Sequence, residues 1–69
     1  MNIAPVIFVD RDTGDEAAFL VRVMEDHVGL ALSLKRNGDI EVILDAKELD
    51  QIIDALQLAR SAVRQSLKS

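Results

Sequence analysis

Apolar and polar positions alternate through the first part of this chain and then switch to a spacing of three and four. Between Ala17 and Glu25, Phe19, Val21 and Val23 fall on one side of an extended backbone, with Leu20, Arg22 and Met24 on the other. Between Val28 and Lys35, Leu30, Leu32 and Leu34 alternate in the same way with Ala31, Ser33 and Lys35. Ile40, Val42 and Leu44 repeat the period, and an earlier apolar run, Val6 to Val9, follows Pro5. Proline lacks an N–H, which suits the start of a strand or the edge of a sheet. The pattern predicts strands over about 3–9, 17–25, 28–35 and 39–44.

From Leu49 onward the period becomes helical. Asp45 precedes Ala46-Lys47-Glu48, an Asp-x-x-Glu capping box that opens a helix over about 46–67. Glu48, Asp50 and Asp54 occupy its first half, and Arg60, Arg64 and Lys68 lie toward its end, which complements the helix dipole. Leu49, Ile52, Ile53, Leu56, Val63 and Leu67 form the main apolar stripe. Ala55, Leu58, Ala59 and Ala62 widen it to an arc of about 200°, more than one sheet face covers.

Two links set the strand facings. With Asp26-His27 as a two-residue loop, Val23 is expected opposite Leu30, Val21 opposite Leu32 and Phe19 opposite Leu34. A two-residue Asn37-Gly38 loop would turn Ile40, Val42 and Leu44 onto the face of Ala31, Ser33 and Lys35. A three-residue loop, Arg36-Asn37-Gly38, with Gly38 left-handed in a G1 bulge, keeps the facing. It sets Leu34 against Ile40, Leu32 against Val42 and Leu30 against Leu44. The expected fold is α+β: an antiparallel meander of three to four strands followed by one long C-terminal helix packed on one sheet face. Residues 1–69 read as a single small domain.

Composition changes the picture mainly through size. The 69 residues include no cysteine and one histidine, so neither a disulfide framework nor a thiolate or His-rich metal site supplements a small core. Domains of this length bury only about 60% of the surface of the unfolded chain. Self-association is the remaining supplement, and a homodimer is expected. The second sheet face supports it, because Leu20, Met24, Ala31 and Ile43 are too apolar for a wetted surface. The expected interface is Leu20, Met24 and Ile43 with the helix flank Ala55, Leu58 and Ala62.

The segment MNIAPVIFVD reads as neither a signal peptide nor a membrane span, and a cytoplasmic protein without membrane attachment is expected. Asp10, Asp12 and Asp15 invite a calcium reading. Gly14 and Asp15, however, occupy the fifth and sixth positions of the loop, where oxygen and glycine are needed, so a solvated hairpin loop is expected. His27 with Glu25 and Asp26 reads as a solvated turn, and Arg22, Lys35 and Arg36 as a small basic spot on a wet face. Arg60, inside the helix stripe, reads as an aliphatic stem over apolar surface with its head in water; a carboxylate on a partner is the functional alternative. No serine sits in a nucleophile-elbow context and no glycine-rich phosphate loop is present, so no catalytic residue, cofactor or metal is assigned.

The leading expectation is a small non-enzymatic protein-interaction module acting as a homodimer. The layout is similar to that of transcriptional coactivators that bind single-stranded DNA as dimers, which would imply a nucleic-acid-binding dimer. The net charge of −4 and the presence of only two aromatic residues, Phe8 and Phe19, argue against that binding. A third reading is an acidic inhibitor or immunity-type protein that masks a basic partner.

Overall fold

The computed structural model describes residues 1–36 and 38–68, apart from the Lys68 side chain. Four strands, β1 (Asn2–Val9), β2 (Glu16–Met24), β3 (His27–Leu34) and β4 (Gly38–Leu44), precede one helix, α1 (Ala46–Lys68). The strands form one antiparallel sheet in the order β1-β2-β3-β4, and α1 contacts β3 and β4. The fold is the α+β meander with a C-terminal helix that the alternation predicts.

Strand β1 pairs with β2 in two registers. Ile3 lies opposite Val21, but Val6 lies opposite Phe19 and Phe8 opposite Ala17, with a bulge between Ile3 and Val6. Residues three apart in a regular strand point to opposite faces. The bulge, which holds Ala4 and Pro5, therefore brings Ile3, Val6 and Phe8 onto the face of Phe19. Pro5 is tolerated because β1 is an edge strand. Ile7 and Val9, opposite Ala18 and Glu16, take the second face.

The β2–β3 hairpin turns one position earlier than the sequence suggests. Met24 pairs with His27, so the loop is Glu25-Asp26, and Glu25 takes φ of 51° while Asp26 stays out of the left-handed region. Val23 then lies opposite Val28, Val21 opposite Leu30 and Phe19 opposite Leu32. The expected register would have put Glu25 opposite Val28, a carboxylate on the apolar face. The observed one lifts Glu25 into the turn and preserves every other facing.

A similar offset occurs at β3–β4. Gly38 is left-handed as expected, with φ of 82°, but it pairs with Leu34. Leu32 lies opposite Ile40, Leu30 opposite Val42 and Val28 opposite Leu44. The three residues between the paired ends are thus 35–37 and not 36–38, and Asn37 lies outside the described residues. This register uses the full length of both strands, whereas the expected one would have left Val28 without a β4 partner.

Helix α1 starts one residue after β4. Glu48 N–H donates to Asp45 Oδ1 at 2.8 Å, and Asp45 N–H donates to Glu48 Oε1 at 3.0 Å. Leu49 N–H donates to the Asp45 carbonyl at 3.0 Å. The capping box is complete, so the first turn is fixed relative to the strand end.

Candidate functional site

Little of this chain is out of water. Ala17, 2% exposed, is the one buried apolar side chain among the described residues, and no large side chain is fully buried. On the face of Phe19, the central strands contribute Phe19, Val21, Leu30 and Leu32, all half-buried. Toward the edges the same face opens: Ile40 is 64% exposed, and Ile3, Val6, Phe8 and Val42 are also exposed. In a sheet lined by apolar residues across all four strands, that is a surface without a cover.

The helix shows a matching gradient. Leu49 and Ile52 in its first two turns are half-buried, but every residue from Ile53 to Leu67 is exposed. Leu56 is 61% exposed and Leu67 80%. The stripe predicted to need a sheet is present, and the helix contacts β3 and β4. The remaining four turns leave their apolar side chains open to solvent.

The size of the uncovered surface can be judged against folded monomers in general. A compact monomer of 7.6 kDa exposes roughly 4,300 Å², whereas this chain exposes 5766 Å². The excess is about 1,500 Å² per chain, or about 3,000 Å² for a pair, within the range of obligate homodimer interfaces. The radius of gyration agrees. It is 14.0 Å, against about 11 Å for a compact domain of this length and about 14 Å for one of twice the length.

The second sheet face differs. Arg22 on β2 reaches across β3 to Glu41 on β4, its guanidinium 3.2 Å from both carboxylate oxygens. Ser33 Oγ donates to Asp39 Oδ1 at 2.6 Å. Leu20, Met24 and Ile43, expected at an interface, do lie on this face, with Arg22 between Leu20 and Met24. Met24 and Ile43 come together with Glu25, Asp26 and His27 around a shallow hollow, while Leu20 borders another with Ala31 and Glu41. The helix flank Ala55, Leu58 and Ala62 is exposed. The predicted patch is therefore accessible, but its sheet half is crossed by an ion pair.

Polar clusters resolve into local pairs. Asp15 departs from the expected solvated loop: it is 9% exposed, and its carboxylate meets Arg36 Nε at 3.3 Å. The loop that buries it is closed by Asp10 N–H on the Asp15 carbonyl and Gly14 N–H on the Asp10 carbonyl, both 2.8 Å. Asp10 Oδ1 accepts the Asp12 N–H at 2.9 Å, an Asx turn. That hydrogen bond, followed by one from the Thr13 side chain, holds the Asp10 carboxyl below its ordinary range. His27 Nδ1 lies 2.7 Å from Asp26 Oδ1 on the exposed turn. Of the three cations in the basic spot read from the sequence, Arg22, Lys35 and Arg36, the two arginines are each matched to a carboxylate.

A hollow of about 720 Å³ is open and bounded by Ile7, Phe8, Val9, Gly14, Asp15, Glu16, Lys35 and Arg36. It brings no nucleophile to a base. Arg60 lies beside Ile53, Leu56 and Gln57 on the exposed helix. No group of three metal-ligating side chains converges among the described residues, and no helix is long and apolar enough to cross a membrane. The chain matches no protein-family model, and comparison with curated proteins and with solved structures finds no match.

Proposed function

We propose that this chain is a small non-enzymatic interaction protein that works as a homodimer. The observation that carries the reading is the roughly 1,500 Å² of surface beyond that of a compact monomer of this mass. Exposed apolar side chains on the Phe19 sheet face and along the helix stripe from Ile53 to Leu67 contribute to it, as do Ile7, Val9, Leu20 and Ile43 on the second face. A second copy of the chain is the most economical cover, since two copies bring two identical sets of open surface together by one two-fold operation. With no disulfide and almost no buried side chain in the single chain, folding and pairing are one process.

The other readings draw less support. A nucleic-acid groove needs unpaired cations and stacking rings. Here Arg22 and Arg36 face carboxylates, and Phe8 and Phe19 lie on the apolar face. Sedimentation velocity at micromolar concentration tests the proposal directly. A folded species of twice 7.6 kDa is expected; a well-folded species of single-chain mass would overturn it.

A further inference from the structure

We infer that the two copies exchange helices: the stripe of α1 from each chain lies on the Phe19 sheet face of the other. This rests on the homodimer reading and specifies which surfaces meet.

Three observations lead there. The helix is joined to β4 through Asp45 alone, and the capping box with Glu48 fixes its direction of departure. The helix contacts β3 and β4, Leu49 and Ile52 in its first two turns are half-buried, and every residue from Ile53 to Leu67 is exposed. The helix therefore leaves its own sheet face open at Ile40, Val42 and Phe8 while exposing the side chains that would cover such a face.

Dimensions allow the fit. The span from Ile53 to Leu67 is about 21 Å at 1.5 Å per residue. The outer strands of a four-stranded sheet lie about 14 Å apart. One helix stripe thus crosses the whole sheet.

The alternatives leave apolar surface open. Pairing the two Phe19 faces directly would cover Ile40 and Val42 but leave Leu56, Val63 and Leu67 in water. Pairing helix with helix would do the reverse. Reciprocal exchange covers both in a single symmetric contact, and it uses an excess area of the size obligate homodimers bury.

Because the chain has no cysteine, single cysteines report the geometry without background. One chain carrying Ile40→Cys and a second, isotopically labelled, carrying Leu56→Cys would be refolded together and joined with a short bismaleimide. Mass spectrometry then reads which chains are linked. The expected product joins residue 40 of one chain to residue 56 of the other at dimer mass. Val42→Cys with Val63→Cys serves as a second pair should either first variant fold poorly by circular dichroism.

A dimer giving only 40-to-40 or only 56-to-56 links overturns the exchange and leaves the homodimer standing. So does a link formed within single chains of an Ile40→Cys/Leu56→Cys double variant. A folded monomer in sedimentation overturns both.

Discussion

Arg22 and Glu41 stand two strands apart, and Arg22 reaches Glu41 across Gly29, which has no side chain to block the path. Gly29 is opposite Arg22 on one side and Ile43 on the other. A Cβ there would sit 3.4 Å from Glu41 Oε2, Ile43 Cδ1 and Met24 Cε, so anything larger must push these ends aside. Both charged side chains are nearly half exposed, and such pairs contribute little, about 0.2–1 kcal/mol. A double-mutant cycle of Arg22→Ala and Glu41→Ala should return a coupling in that range, shrinking with added salt. Gly29→Val should abolish the coupling; an unchanged value would mean that the glycine does not hold the path open.

The helix cap offers a cleaner stability measurement. Asp45→Ala removes the acceptor of the Glu48 N–H and should cost about 1 kcal/mol in denaturant unfolding. Asp45→Asn keeps an acceptor and should recover most of it.

Two turn residues should respond in opposite directions. Gly38 has φ of 82° with open space where a Cβ would stand. Gly38→Val should therefore cost about 1–3 kcal/mol from backbone strain alone. Glu25 is a non-glycine residue at φ of 51°. Glu25→Gly relieves that strain, about 1–2 kcal/mol, against a loss of about 0.5–1 kcal/mol from the freer unfolded chain. Urea unfolding should show a modest net gain.

If folding and pairing are one process, the unfolding midpoint must rise with protein concentration. Each tenfold increase should add about 1.4 kcal/mol to apparent stability. Leu56→Asp, in the middle of the stripe, should shift the sedimenting species toward single chains. Leu58→Asp, on the far side of the helix, should do so much less. A larger loss at Leu58 than at Leu56 would indicate that the flank, not the stripe, is the interface.

Acid should act through the Asx turn. The Asp10 carboxyl is held below its reference value of 3.8 by the Asp12 N–H and the Thr13 side chain. The folded state therefore favours the carboxylate, a contribution fully present above the unfolded value and lost as pH falls through the lower folded one. The stability gap between the native chain and Asp10→Asn should narrow as pH falls through and below the reference value of 3.8, as read by urea midpoints. A constant gap would remove Asp10 from the acid response.

Much of the fold was legible because alternation fixes parity. Both hairpins are offset by two residues from the expected pairing, yet an even offset leaves every core residue on its face. Parity cannot choose between such registers. At β2–β3 the choice rests on keeping Glu25 off the apolar face, and at β3–β4 on using the full strand length. The cap was legible since Asp45 and Glu48 are neighbours in sequence. Burial of Asp15 was not, because its partner Arg36 comes from a separate hairpin. The Arg22–Glu41 pair likewise depends on three strands in register. The helix stripe announced that a sheet must cover it, but amphipathicity carries no label for which chain supplies the sheet.

A chain that leaves an apolar sheet face partly open could also grow by adding strands at its margins. Here the outermost strand, β1, has a proline without an N–H to give a further strand, and a bulge that breaks the even spacing of its ladder. At the opposite margin β4 carries Asp39 and Glu41, charges that an added strand of like sequence would have to face. Open-ended ribbon formation is thus discouraged at both edges, so the proposed pairing through the faces would be a closed one.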